Sequence, residues 1–188
     1  MNILTKPLPD SVEINGKNYK INTDFKVWIR FAQVIFSAKG EYKALAKVMC
    51  EIFKEKIPVS LAEALSAMLD FYTLQKKSRG EEEGESRAQI FDFDVDSGLI
   101  YAAFLQQYRI DLTKADLHWW VFKTLFDNLS EDTQFVKIMQ FRCKDISSIK
   151  DKEMKNYYIR MKRRYALPDN RSEKEKENAF ANALGVIS

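Results

Sequence analysis

Glycine and proline are scarce in this chain, 6 and 4 among 188 residues. That scarcity excludes a loop-rich or all-β fold, whose many turns depend on them. Cysteine is scarcer still. Cys50 and Cys143 lie far apart within apolar helical patterns, which speaks against a disulfide framework and predicts two buried thiols. A single histidine, His118, leaves no paired ligand spacing for zinc. Any Ser-His-Asp or Cys-His nucleophile would have to use it, yet it sits in Leu117-His118-Trp119-Trp120, where packing is the expected task. No apolar run approaches the roughly 18 residues of a membrane span. The opening Met1-Asn2-Ile3-Leu4-Thr5-Lys6-Pro7 lacks the apolar stretch of a secretory signal, so the cytoplasm is the expected compartment. Nor does one charge dominate: 30 basic and 27 acidic residues leave +3, too little to declare a nucleic-acid or membrane partner.

What is present is helical. The hydrophobic share of 46% is ordinary for a globular chain. Ser11 to Ile21 alternates around Asn15-Gly16, the pair that tolerates both positive φ angles of a type I′ turn, so a short N-terminal hairpin is expected with Val12 and Ile14 on the side of Tyr19 and Ile21. From Asp24, the stripe Phe25, Trp28, Ile29, Ala32 and Phe36, widened by Val27, Phe31, Val34 and Ile35, predicts a helix buried on most sides. A second helix is expected over 41–54. A third should start at the capping box Ser60-Leu61-Ala62-Glu63 and reach Lys76. Ile90 to Asp96 alternates like an extended run, and a helix through Tyr101, Phe104 and Tyr108 follows. Thr113 is expected to cap a nearly enclosed helix carrying Trp119, Trp120 and Phe122. Ser130 opens another through Phe135 and Ile138, and Ser147 or Ser148 a basic one reaching Leu167-Pro168.

The chain therefore divides into a hairpin with three helices over 1–77, a flexible acidic loop over 78–89, a helical part over 90–168 that packs with the first, and a charged spacer with a short segment over 169–188. The loop, Arg79-Gly80-Glu81-Glu82-Glu83-Gly84-Glu85, has nothing apolar to bury. The fold class is mainly α, with six or seven helices.

Candidate sites fall away one by one. Asp92, Asp94 and Asp96 alternate as in the opening of a calcium loop, but counting from Asp92 the sixth and twelfth places hold Ser97 and Ala103 instead of Gly and Glu. Asp96 is better read as a helix cap. The glycines form no phosphate cradle, since Gly80 and Gly84 flank three glutamates. Those glutamates sit in a solvated loop that would not raise a catalytic pKa. No cofactor is implied, and the chain is expected to bind macromolecules, not to catalyse a reaction.

The remaining signal is electrostatic. Between Lys150 and Arg164, seven cations (Lys150, Lys152, Lys155, Arg160, Lys162, Arg163 and Arg164) face two acids, with Tyr157, Tyr158 and Tyr165 interleaved. Arg160, Lys162, Arg163 and Arg164 are candidate partner-binding residues, although cations near a helix C-terminus also suit its dipole. Beyond the spacer, Phe180, Ala183 and Leu184 fall on one face of a helix too short to stand alone, which makes Phe180 and Leu184 candidate docking residues.

Several segments carry a family resemblance: Phe91-Asp92-Phe93-Asp94, Ile100 to Tyr108, Ile110-Asp111-Leu112, Leu117-His118-Trp119-Trp120, Leu129-Ser130-Glu131-Asp132-Thr133, Lys150-Asp151-Lys152 and Tyr165-Ala166-Leu167-Pro168. With them, most of the chain resembles the phage family named after gene product fifteen of Listeria-type siphophages. The resemblance implies a gene in the tail-morphogenesis block, where tail assembly chaperones are usually encoded. It implies as partners phage tail proteins, above all the tape-measure protein, and as location the cytoplasm of the bacterial host. It brings no catalytic residues. A homo-oligomer is also a possible partner state, and a minor tail protein retained in the virion and a nucleic-acid-binding protein using residues 150–164 are the competing expectations.

Overall fold

The computed structural model describes residues 3–36, 42–74 and 90–168. Strands β1 (Ser11–Ile14) and β2 (Lys17–Lys20) pair antiparallel, Val12 opposite Tyr19 and Ile14 opposite Lys17. The turn between them takes φ 52° at Asn15 and 72° at Gly16, the two positive angles expected of that dipeptide. A two-stranded ribbon is marginal alone. Here Val12 and Ile14 are buried, and β1 packs against α3 (Leu61–Tyr72).

The ribbon leads into α1 (Phe25–Ile35), whose first turn is capped by the Asp24 carboxylate accepting from the Lys26 N–H at 2.9 Å. Helices α2 (Tyr42–Ile52), α3, α4 (Ser97–Tyr108), α5 (Trp119–Asp127), α6 (Gln134–Cys143) and α7 (Lys152–Arg164) complete seven among the described residues. The fold is mainly α, with the expected N-terminal hairpin.

The core is aromatic and draws on both ends of the chain. Trp28 lies 4.5 Å from Phe71, Tyr72 stacks on Trp119 at 4.9 Å, and Phe122 stacks on both Phe25 at 4.8 Å and Phe104 at 5.0 Å. Such rings bury large areas and add about 0.5–1.5 kcal/mol per well-placed pair. A buried indole must still satisfy its N–H, and all three do so on backbone carbonyls: Trp28 on Asn22, Trp119 on Tyr72 and Trp120 on Phe71, at 2.7, 2.9 and 2.9 Å. Phe71 and Tyr72 end α3, where carbonyls lack intrahelical partners. The adjacent tryptophans of α5 thus cap α3 from the side while filling the core.

The start of α5 is fixed by His118, which is not inside a helix as expected but is the cap. Its Nδ1 accepts from the Trp120 N–H at 3.0 Å, and its Nε2 donates to the Pro9 carbonyl at 2.9 Å. On either side, Phe25 N–H donates to Leu117 O at 3.0 Å and Trp119 N–H to Thr23 O at 2.7 Å. This short backbone bridge pins the beginnings of α1 and α5 together. Burial pushes the His118 pKa below its ordinary value, although the Pro9 carbonyl pulls it upward.

Other local expectations are corrected by tertiary contacts. Thr113 caps no helix, because its hydroxyl bonds Asp111 at 2.6 Å within a turn. Ser60 makes no side-chain cap, and Glu63 accepts instead from the Asn15 amide of the hairpin turn. Helix α3 stops at Tyr72, short of Lys76. Thr133 and Asp151 cap α6 and α7, not Ser130 and the Ser147-Ser148 pair, and α7 ends at Arg164 before Leu167. Residues 90–96 form a turn and no strand: the Asp92 carboxylate accepts from the N–H groups of Asp94 and Val95, while Phe91 and Phe93 pack on Phe126. Phe36 lies beyond the end of α1 and is 62% exposed. Cys50 and Cys143 are both exposed, contrary to the expected buried thiols: Cys50 falls between the inward positions Met49 and Ile52, and Cys143 is the last residue of α6.

Candidate interaction surface

Helix α7 is locally well specified. The Asp151 carboxylate accepts from the Met154 N–H at 2.7 Å, Glu153 lies in the first turn, and Lys162, Arg163 and Arg164 lie in the last. Acid at the start and cations at the end both follow the helix dipole. Yet none of its residues is fully buried. It rests on α6 through Phe141, whose ring meets Tyr157 and Tyr158 at 6.2 Å each and stacks on Tyr165 at 5.9 Å.

A second anchor lies behind this contact. Asp96, expected as the cap of α4, makes no such hydrogen bond and is buried instead against Arg142 of α6. The two oxygens accept from the two terminal guanidinium nitrogens at 2.6 and 2.9 Å, and the side chains are only 8% and 1% exposed. Asp96 also accepts from the Asp92 N–H at 3.0 Å. Two further guanidinium hydrogens reach Ile90 O at 3.0 Å and Tyr165 O at 2.6 Å. One arginine therefore joins the entry to α4, the helix α6 and the end of α7. The planar fork of arginine, with five fixed donors, suits this arrangement where lysine would not.

The four basic candidates on α7 separate by role. Arg160, Arg163 and Arg164 are exposed. Lys162 is half-buried and donates to the Lys144 carbonyl at 3.0 Å, so it tethers α7 to the end of α6 instead of facing a partner. Arg164 lies 5.6 Å from the Tyr165 ring. Arg160 and Arg163 are one turn apart on the face away from α6, beside Ile159, which is 44% exposed. Tyr158 and Tyr165 lie against Phe141 on the side away from those arginines, whereas Tyr157, which also meets Phe141 at its edge, is exposed and sits one turn from Arg160. Phe180 and Leu184, like the acidic loop, lie outside the described residues. The sequence offered no sign of the Asp96 to Arg142 pair, since 46 residues separate its members.

Asp92, Asp94 and Asp96 do not converge on one point. Asp92 closes its own turn, Asp94 accepts from the Gln33 amide at 2.6 Å, and Asp96 holds Arg142. No group of three metal-ligating side chains occurs among the described residues, and no described helix is long and apolar enough to cross a membrane.

Comparison with curated proteins and with solved structures found no match in either. The family model described as Bacteriophage Gp15 protein, however, matches residues 4–167, a span that contains every element described above. The chain belongs to the bacteriophage Gp15 protein family.

Proposed function

We propose that the protein is a phage tail assembly factor that binds other tail proteins, the tape-measure protein foremost, and keeps them soluble before assembly. The observation that carries this reading is α7, which among the described residues rests on α6 through one side and leaves Ile159, Arg160 and Arg163 exposed on the other. Such a face suits an amphipathic helix with acidic flanks, because apolar contact supplies affinity and the arginines set orientation. The reading needs binding and no catalysis, and it draws its phage context from the family.

Co-expression with the tape-measure protein tests it. The client is expected in the soluble fraction with the native chain and in the pellet with Arg160→Glu/Arg163→Glu. A client equally soluble with and without the chain would sink the proposal. Retention in purified particles would favour a structural tail component instead. Affinity for DNA that falls steeply with salt would favour a nucleic-acid partner.

A further inference from the structure

An open groove of about 430 Å³ runs between β1 and α3, on a part of the fold to which α7 does not belong. Val12, Ile14 and Phe71 give it an apolar floor. Its rim carries Glu13, Glu63 and Asp70, all exposed, and none of its described lining residues is a lysine or arginine. Glu63 and Asp70 lie two turns apart along α3, roughly 10 Å by the helical rise. One wall is held in place by the contact of Asn15 with Glu63.

We propose that this groove receives the basic face of α7 from a second copy of the chain. Charge complementarity selects the occupant: three carboxylates line the acceptor, while Arg160, Arg163 and Arg164 project from a helix whose other side packs on α6. Long arginine stems reach carboxylates spaced along a groove without the helix itself having to enter, and the exposed Ile159, beside Arg160 and one turn from Arg163, is available to the apolar floor. Within one copy the two surfaces lie on separate parts of the fold, β1 on β2 and α3, α7 on α6. Two copies bring them together. The client proposed above would compete for the same α7 face, so self-association is tested on the purified chain without it, and Glu63→Lys/Asp70→Lys, which leaves α7 intact, separates the two readings.

Sedimentation velocity of the full chain, treated with nuclease, tests it across protein concentration at low and high salt. The expected result is self-association that weakens as salt rises, because exposed charges are screened. Arg160→Glu/Arg163→Glu and Glu63→Lys/Asp70→Lys are each expected to weaken it about tenfold or more, by placing like charges opposite one another. Combining the four changes in one chain restores complementarity and should restore association. All four positions changed in these variants are exposed, and circular dichroism with thermal unfolding verifies that each variant folds. A native chain that stays monomeric at low salt, association lost on nuclease treatment, or a combined variant no better than its parents would each overturn the proposal.

Discussion

Helices α5 and α7 both carry aromatic residues, yet they are held in opposite ways. Of the nine residues of α5, Trp119, Trp120, Phe122 and Phe126 are buried, whereas none of the thirteen in α7 is. Two tryptophans tie α5 into α3 by burial and hydrogen bonding together. Helix α7 depends on one half-buried phenylalanine and on carbonyl contacts to Arg142 and Lys162. Burial of large side chains makes an element inseparable from the core, while a few polar tethers hold one in place and leave a face open for binding. Damage to α5 should therefore unfold the molecule, and damage to the anchors of α7 should free a helix.

The largest effect is expected from Trp120→Ala. The indole is 3% exposed and bonded to Phe71, and truncating a buried Trp costs about 3–5 kcal/mol out of the roughly 5–15 that a domain holds. Urea denaturation should show global destabilisation of that size. A variant that keeps its stability would place Trp120 outside the core and erase the contrast with α7.

Next is Arg142→Met, which strands the buried Asp96 carboxylate. Breaking one side of a buried pair costs about 3 kcal/mol or more. The double variant Asp96→Leu/Arg142→Met should recover much of this, since no charge then remains unpaired. If the double variant is less stable than Arg142→Met, the carbonyl contacts to Ile90 and Tyr165, not the ion pair, carry the energy.

Phe141→Ala sharpens the comparison further, at about 2 kcal/mol for a ring that is only partly buried. Amide exchange should rise throughout 152–164 while protection in α5 stays as it was. Loss of protection in both helices at once would mean that α7 is cooperative with the core after all.

The pH dependence distinguishes two core groups. His118 has a folded pKa below 6.5, so the unfolded state takes up its proton first, and stability present above pH 6.5 is lost as pH falls through the folded value. Protonated Nδ1 can no longer accept from Trp120. The Tyr72 hydroxyl, pushed up to about 12 by burial and secondarily by the Asp127 charge, acts at the other end. Its contribution is complete below pH 10 and is lost as pH rises from 10 toward 12. Thermal midpoints should thus form a plateau between these limits, and His118→Asn, which can still cap, should flatten the acidic side. An unchanged acidic slope in that variant would assign it to other groups.

The smallest effect is a gain. Arg109 closes α4 with φ 58°, a left-handed conformation that glycine adopts without strain. Arg109→Gly should stabilise by about 0.5–1 kcal/mol, with no change at either α5 or α7. A loss would mean that the arginine side chain makes a contact worth more than the backbone strain.

The sequence by itself determined the periodic elements. Helical spacing of apolar residues located α1 and α4 because burial of one face repeats every 3.6 residues, and Asn15-Gly16 located the hairpin because few residue pairs accept two positive φ angles. The family motifs likewise pointed to a phage protein. Only the tertiary structure decided the ends and the anchors. His118 displaced Thr113 as a cap because Pro9 and Thr23, distant in the chain, hold that turn in place. Glu63 left its capping box for Asn15, and Asp96 left its helix for Arg142. Lys162 was drawn inward while Arg160 and Arg163 stayed out, a division set by which side of α7 meets Phe141. A polar side chain near a helix end has several partners of similar worth, each net about 0.5–1.5 kcal/mol when neutral and somewhat more when charged. The choice among them is made by whichever distant group the packed core brings within 3 Å.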